Sequence, residues 1–251
     1  MEALLSTSFD SLSSYDPSSV RRGLRQIEGL LAHLCRPYTS GSRAGDTRIA
    51  DDPAYREFLR LQDGFEWNIA LRLTACLERL LGQESNDLTT LLILSTLNLL
   101  QGALLIHAAS RRVFAREVNM TILLDLLEPQ SSPAIQGATI NCLVCALVEE
   151  WDNVRTFEAL DGLASVCSLF KRKDTEKDVK LKILEFLFFY LVPEPPRPPE
   201  GSVRSLSSVR ARRRTTEEKQ KMLGKYLSNV ESIVHELQQN HPFGDLGLQT
   251  Q

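Results

Sequence analysis

The sequence predicts an all-α fold, an armadillo- or HEAT-like stack of helical repeats. Apolar residues recur at helical spacing along most of the chain, and strand signals are nearly absent. Two stretches about 43 residues apart repeat one pattern, a short helix followed by a longer one, and this is the period of armadillo and HEAT units. The aligned apolar pairs are Phe114 and Phe157, Met120 and Leu163, Leu123 and Val166, Leu126 and Leu169, Ile135 and Val179, Ile140 and Leu184, and Leu143 and Leu187. Such units stack to bury their apolar faces and leave a long surface for partners.

The helices before this repeat have recognisable start signals. Asp16-Pro17 opens a helix that runs to about Cys35, because an acid suits the N-cap and proline suits the first helical position. Asp52-Pro53 opens the next helix in the same way. A further amphipathic helix is predicted within residues 65–82, with Gly82 past its end. Its apolar stripe consists of Trp67, Ala70, Leu73, Leu77 and Leu80.

Residues 88–110 form the most apolar predicted helix. The segment contains no charge and is long enough to span a bilayer. Its polar side chains, which would be unfavourable facing lipid, are Thr89, Thr90, Ser95, Thr96, Asn98, Gln101 and His107. The pattern therefore favours a buried helix of the repeat stack over a membrane span.

Charge and cysteine content exclude some classes of protein. The chain has 251 residues and a net charge of −3, which argues against a nucleic-acid footprint over the whole molecule. Its five cysteines are odd in number and lie mostly in apolar runs, which predicts reduced, buried thiols in an intracellular protein. Cys142 and Cys145 have C-x-x-C spacing but no second pair, so we interpret them as buried apolar residues instead of metal ligands. The N-terminus has no basic region or long apolar core, so no secretory signal is predicted.

Motifs of the common enzyme classes are missing from the sequence. It contains no phosphate-binding loop, no nucleophile elbow and no zinc-protease motif. The four histidines have no partner at metal-ligand spacing. We therefore expect no catalytic residue, metal or cofactor, while a hydrolase without a recognisable motif is the competing class.

Composition divides the chain into four segments. Residues 1–192 are predicted to form the armadillo-like domain, with a mobile loop at about residues 36–50 that is rich in Ser, Gly and Arg. Residues 193–215 form a linker rich in Pro, Ser and Arg, a composition that cannot build a packed core. Residues 216–240 are predicted as an amphipathic helix, and residues 241–251 as a tail.

The last helix before the linker is too hydrophobic for the end of a repeat stack. Its apolar residues cover nearly opposite faces, so one face must be covered by the C-terminal helix or by a partner protein. The surface that we expect to be covered consists of Leu181, Leu184, Phe188 and Phe189. The C-terminal helix offers a matching apolar seam of Leu223, Tyr226, Leu227, Val230, Val234 and Leu237.

A basic cluster lies at the end of the linker. Residues 210–214 include four arginines, which would suit anionic lipid or RNA, although no aromatic residue is interleaved for base stacking. Arginine also stands three residues before each of three hydroxyl residues, a spacing that basic-directed kinases recognise. The candidate phosphorylation sites are Ser207, Thr215 and Thr216.

The sequence resembles the fungal cell division control protein 14 family, the septation initiation network component and not the phosphatase of similar name. The resemblance rests on MEALLSTSFDSLSSYDPSSVRRGLRQIEGLLA, ADDPAYREFLRLQDGFEWNIALRL, REVNMTILLDLLEP, PAIQGATINCLVCAL, VRTFEALDGLASVCSLFK and RTTEEKQKMLGKYLSNVESIV. Together these blocks cover most of the chain outside the residues 36–50 loop and the linker.

The resemblance implies a non-catalytic protein that binds and activates a germinal-centre-type serine/threonine kinase in the cascade controlling septum formation and cytokinesis. It also implies cytoplasmic and spindle-pole-body placement. The family offers no catalytic residues to transfer to this chain. An armadillo-like adaptor that binds another protein, or binds anionic lipid through the basic linker, is the alternative function.

Overall fold

The computed structural model describes residues 1–35, 52–195, 213–228 and 230. Every regular element within these ranges is helical, which confirms the predicted all-α class. The chain divides into two compact units, Met1–Phe114 and Ala115–Gln251. Several predictions lie outside the described residues, namely the loop at residues 36–50, Ser207, Val234, Leu237 and the tail at residues 241–251.

Five α-helices lie in the described residues of the first unit. They are α1 (Glu2–Leu12), α2 (Pro17–Cys35), α3 (Pro53–Asp63), α4 (Ile69–Leu81) and α5 (Asp87–Ile106), and a 3₁₀ segment, η1 (Ala108–Ala115), follows α5. Helix α2 packs against α1 and α5, and α4 packs against α5 and α1. The core is mostly leucine because leucine combines high helix propensity with a large buried apolar area.

The helix starts agree with the local signals in the sequence. Asp16 Oδ2 accepts a hydrogen bond from the backbone N–H of Ser19 at 2.9 Å, and Asp52 Oδ1 accepts one from Ala54 at 2.8 Å. Helix α4 begins later than residue 65 because Asn68 is its N-cap, with Oδ1 accepting from the Leu71 N–H at 2.9 Å. These side chains satisfy backbone donors that have no partner inside the helix.

Helix α5 ends earlier than the predicted segment of residues 88–110. His107 leaves the helix, and its imidazole lies 2.7 Å from Ser110 Oγ and 3.1 Å from Asp63 Oδ1. In the described part of the chain, α5 is the helix long and apolar enough to cross a membrane, and 44% of its apolar stretch is buried. Thr96, a fully buried polar residue of α5, fits packing against protein because its hydroxyl donates to the Leu92 carbonyl oxygen at 2.7 Å.

The described part of the second unit contains six α-helices. They are α6 (Glu117–Asp125), α7 (Pro133–Leu147), α8 (Trp151–Ala159), α9 (Gly162–Lys171), α10 (Lys177–Leu191) and α11 (Thr216–Leu223). Helix α10 packs against α7, α9 and α11, and α8 packs against α6, α7 and α9. The residues after the linker therefore belong to the same compact unit as α10.

A tight turn joins α8 to α9. Asp161 has a φ of 56°, and a Cβ atom at the following Gly162 would lie 2.3 Å from Cδ2 of Phe157. Only glycine fits this close approach. The Phe157 ring is fully buried and meets Phe186 edge to face at a centroid distance of 5.6 Å, so the turn fixes α8 against α10.

Helix α11 starts where the sequence predicts and runs to Leu223, and Val230 is helical again after a turn. Residues 229 and 231–240 of the predicted helix lie outside the described residues. A capping box forms its start, with Thr215 Oγ1 accepting from the Glu218 N–H and the Glu218 carboxylate accepting from the Thr215 N–H. The helix ends at Leu223, and a turn follows at Gly224. Glycine within a helix costs about 1 kcal/mol relative to alanine, so Gly224 favours the end of α11 at Leu223.

Candidate partner and tail-docking surface

One face of α10 is covered and the other is partly open. Val179, Ile183, Phe186, Leu187 and Tyr190 are buried on the inner face. The side chains proposed for docking lie elsewhere on the helix. Leu181 is 56% exposed, and Leu184, Phe188 and Phe189 are half-buried. This row of apolar side chains therefore still has surface for a partner.

The segment after the linker buries its apolar residues within the second unit. Leu223 is fully buried, Leu227 and Val230 are each 5% exposed, and Tyr226 is half-buried. The backbone carbonyl of Tyr226 accepts a hydrogen bond from Lys171 Nζ at 3.2 Å. The described part of the predicted seam is thus sheltered in the free chain.

Helix α11 is attached to the C-terminal end of α10. Thr216 Oγ1 donates to the carbonyl oxygen of Leu191 at 3.2 Å, and Lys219 Nζ donates to that of Val192 at 2.8 Å. Carbonyls at a helix C-terminus have no partner within the helix, so side chains from another segment can satisfy them. This attachment explains why Leu181, near the start of α10, stays exposed.

A buried ionic cluster joins three separate parts of the second unit. Glu158 lies on α8, Glu194 and Arg214 lie near the two ends of the predicted linker, and Lys219 lies on α11. The side chains of Glu158, Glu194 and Lys219 are at most 4% exposed. Arg214 Nη2 lies 2.9 Å from Glu158 Oε2, and Lys219 Nζ lies 3.3 Å from Glu194 Oε1. Removing one partner of a buried pair costs about 3–5 kcal/mol, so the cluster fixes where α11 docks.

Two further side chains complete this ionic cluster. Arg155 pairs with Glu158 at 3.0 Å and also pairs with Glu194. The Tyr190 hydroxyl donates to Glu158 Oε1 at 2.8 Å. The backbone N–H of Arg214 donates to Glu194 Oε2 at 3.0 Å. The two ends of the linker are therefore held side by side.

Burial governs the ionisation of the cluster. It raises the pKa of Glu158 above its usual value, although the Tyr190 hydrogen bond and the charge of Arg155 act in the opposite direction. It lowers the pKa of Lys219, against the attraction of Glu194. Burial and the neighbouring Glu158 both raise the pKa of Tyr190. The cluster therefore balances desolvation against pairing, which suits a structural contact between segments.

An apolar cavity of about 720 Å³ lies beside this cluster. Its wall includes Val144 and Leu147 of α7, Trp151 at the start of α8, and Phe189 of α10. The guanidinium carbon of Arg213 lies 4.8 Å from the centre of the Trp151 ring, a cation–π contact. The cavity thus adjoins both the docked segment and the half-buried Phe189.

The cysteines are placed as apolar core residues, apart from Cys35, which is exposed. Cys76, Cys142, Cys145 and Cys167 are buried, as the sequence predicts for thiols in apolar runs. Burial raises the pKa of Cys142, and it raises that of Cys167 to about 11. Among the described residues, no group of three or more His, Cys, Asp and Glu side chains could hold a metal ion.

The two described candidate phosphorylation sites differ in their surroundings. Thr215 is exposed at the N-cap of α11, whereas Thr216 is half-buried and hydrogen-bonded to α10. Sequence reasoning predicted neither the role of Glu194 nor that of Lys219. Glu194 lies in a proline-rich run, and Lys219 lies on a charged helical turn, so each resembles a solvated residue.

The family model described as "Cell division control protein 14, SIN component" matches residues 1–213 and 200–243. The chain is also similar to "Cell division control protein 14" of Schizosaccharomyces pombe (strain 972 / ATCC 24843), with 34% identity over 255 residues, covering 98% of each protein. The chain belongs to this family. No solved structure matches it.

Membership assigns the chain to the septation initiation network, and hence to cell division and septation. The family is a network component and not a phosphatase. A component of such a network works through protein partners. On α10, the exposed Leu181 and the half-buried Leu184, Phe188 and Phe189 are apolar side chains of the kind that such contacts cover.

Proposed function

We propose that this chain is a non-catalytic scaffold or regulatory subunit that binds and activates a germinal-centre-type serine/threonine kinase in the septation initiation network. The observation that carries the proposal is family membership along almost the entire length of the chain. The absence of common catalytic motifs from the sequence supports a role in binding. Cytoplasmic placement and association with the spindle pole body belong to the same proposal.

The proposal includes an armadillo-like repeat arrangement as the source of the binding surface. At an offset of about 43 residues, η1, α6 and α7 correspond in order to α8, α9 and α10. Each aligned apolar pair from the sequence is buried at both positions, except that Leu184 is half-buried. An armadillo repeat has three helical elements, and stacked repeats share the same buried positions. Both features are present in these two stretches.

We place the partner surface on α10. Leu181 is the most exposed large apolar side chain described in the second unit, and Leu184, Phe188 and Phe189 lie on the same helix with area still open. A few well-packed side chains supply most of the affinity of a protein–protein interface, and exposed apolar side chains mark where a partner can cover the surface. Leu181 and Phe189 are therefore the residues that we expect the kinase to cover.

The anionic-lipid alternative receives less support from the second unit. A lipid surface would need the arginines of the linker end to be available. Arg213 stacks on Trp151 and Arg214 pairs with Glu158, so both are engaged within the chain itself. These contacts favour the protein-partner function.

Two experiments test the proposal together. The tagged full chain is captured from dividing cells, and the kinase that is enriched is purified and assayed with and without the chain. We expect direct binding and increased kinase activity with the wild-type chain. No enrichment of a serine/threonine kinase, or binding without any change of activity, would contradict scaffold activation.

The position of the surface is tested by Leu181→Asp, with Val118→Asp as the matched control. Val118 is 54% exposed on α6 of the same unit, so the two variants place the same charge on similarly exposed apolar sites. We expect Leu181→Asp to weaken kinase binding by about tenfold or more, as for an interface anchor. Equal affinity of the two variants would place the contact elsewhere on the chain.

A further inference from the structure

Several contacts hold the linker end and the start of α11 against the rest of the second unit, and some of them involve residues 213–216 directly. Arg213 stacks on Trp151, and Arg214 pairs with Glu158. The Arg214 N–H also donates to the Glu194 carboxylate. Thr216 Oγ1 donates to the Leu191 carbonyl at 3.2 Å. Residues 213–216 are thus docked as one continuous stretch.

The same stretch carries the pattern of a kinase substrate. Arg213 stands three residues before Thr216, and Arg214 stands two before it. A basic-directed kinase needs these guanidinium groups free to meet its own carboxylates, and it needs the acceptor hydroxyl free to react. In the docked form both arginines and the Thr216 hydroxyl are engaged, and Thr216 is already the first residue of α11. The docked form therefore cannot serve as substrate.

We propose that Thr216 is a phosphorylation site that becomes available only when α11 leaves α10, and that its phosphate then prevents α11 from docking again. In the transfer, Thr216 Oγ1 attacks the γ-phosphorus of ATP, and the new O–P bond forms as the bond to the β,γ-bridging oxygen breaks. ADP leaves, and the hydroxyl proton passes to the catalytic base of the kinase.

A phosphate on Thr216 opposes docking because of where its oxygens would lie. The hydroxyl now donates to the Leu191 carbonyl, whereas phosphate oxygens only accept, so two acceptors would face each other. Leu191 is the last residue of α10, where the helix dipole disfavours negative charge. The nearby cations, Arg214 and Lys219, are already paired with Glu158 and Glu194.

Thr215 provides an internal comparison. Its hydroxyl accepts from the Glu218 N–H at the N-cap, and its side chain is exposed. Both threonines stand at the positive end of the α11 dipole, so the dipole does not distinguish them. The difference is that a phosphate on Thr215 would lie in solvent, away from the Leu191 carbonyl that Thr216 contacts. We therefore expect phosphate on Thr215 to leave the docked form intact, so the two neighbouring sites differ in consequence.

The test uses the full chain, ATP and a purified basic-directed kinase that prefers arginine three residues before its acceptor. Phosphorylation of each threonine is followed over time by mass spectrometry in the wild type, in Leu223→Asp and in Ser228→Asp. Leu223 is fully buried and lies outside the recognised stretch, so Leu223→Asp weakens docking without altering the substrate sequence. Ser228 is exposed, and Ser228→Asp adds the same charge as a control.

We expect Thr216 to be phosphorylated at least about tenfold faster in Leu223→Asp than in the wild type or Ser228→Asp, because the competent form is then a larger fraction of the protein. Hydrogen exchange of wild-type protein phosphorylated at Thr216 should show loss of amide protection in α11. Equal rates in the three proteins would overturn the proposal. Absence of phosphate from Thr216 in Leu223→Asp, or retained protection of α11, would also overturn it. The assay contains no septation kinase, so its outcome is independent of the proposed function.

Discussion

Individual side chains of the second unit hold together segments that are far apart in sequence. Lys219 contacts the carbonyl of Val192 and the carboxylate of Glu194, although it lies beyond the linker. A buried lysine is rare because its charge must be paired, and here two acceptors meet it. The methylene stem of the residue can pack against α10 while its ammonium group closes the contact.

The cysteines give a prediction at the same scale. At pH 8 we expect one thiol per chain, Cys35, to react rapidly with an aromatic disulfide reagent, because it is exposed and the other four cysteines are buried. A pKa of about 11 for Cys167 leaves roughly one thiolate in a thousand at that pH, and only the thiolate reacts. The measurement is reagent absorbance with and without denaturant.

Cys35→Ser is the control for the thiol measurement, since it should remove the rapid phase and leave the four slow thiols. A second rapid thiol in the native protein would contradict the burial of the remaining cysteines. Burial keeps the reagent away from Cys76 and Cys142. Burial also raises the pKa of both thiols, which lowers the fraction present as thiolate.

At the scale of the helix, close packing of α1 on α2 depends on one glycine. A Cβ atom at Gly23 would lie 2.8 Å from the Ser8 carbonyl oxygen and 3.0 Å from the Leu12 nitrogen. Gly29, on the same helix, has nothing within 4 Å of its Cβ position. Close packing against α1 therefore requires glycine at position 23, whereas a methyl group would fit at position 29.

We predict opposite effects of the same substitution at these two positions. Gly23→Ala should lower the free energy of unfolding by about 1–3 kcal/mol, because α1 must move away from α2. Gly29→Ala should raise it by about 0.5–1 kcal/mol through helix propensity. Denaturant unfolding of both variants checks this, and a Gly23→Ala protein as stable as Gly29→Ala would contradict the close contact.

The sequence predicts the start of a helix best where the interactions that fix it lie within a few neighbouring residues. Asp16 and Asp52 cap their helices through neighbouring backbone groups, so a short window of sequence contains the whole interaction. Helix α1 has no side-chain cap at Met1 and is rich in serine, and it was not predicted. Its formation rests on packing against α2, which a local pattern does not contain.

The same reason explains what was missed at the candidate site. Thr215 and Glu218 form a capping box four residues long, and the start of α11 follows from it. The partners of Glu194 stand 20 or more residues away along the chain, on α8 and beyond the linker. No periodicity in the sequence marks such a contact. The contact nevertheless decides where α11 docks. The apolar pattern of residues 216–240 also does not show the turn at Gly224, which separates α11 from the helical Val230.

For the whole molecule, the apolar seam of the C-terminal segment leads to a further prediction. Leu227 and Val230 are nearly fully buried in the free chain, and burial of such a side chain is worth about 1.5–3 kcal/mol. We predict that Leu227→Asp or Val230→Asp exposes apolar surface in the free protein or weakens kinase binding. Dye binding, melting temperature and kinase affinity measure these outcomes.

Ser228→Asp is again the control, because Ser228 lies between the two buried positions and is exposed. Wild-type kinase affinity together with unchanged solubility and melting temperature in both variants would refute the role of the seam. A change confined to kinase affinity would assign the seam to the partner, whereas increased dye binding alone would assign it to the free chain.

The contact between Glu194 and Arg214 has a consequence for concentrated protein. None of the interactions that hold α11 on α10 requires that the two helices belong to one polypeptide, so α11 of a second copy fits the same place. A covalent tether gives its own segment an effective concentration on the order of millimolar. Docking within one chain therefore prevails at ordinary concentrations, and exchange of α11 between copies becomes competitive only where crowding of the protein approaches that value.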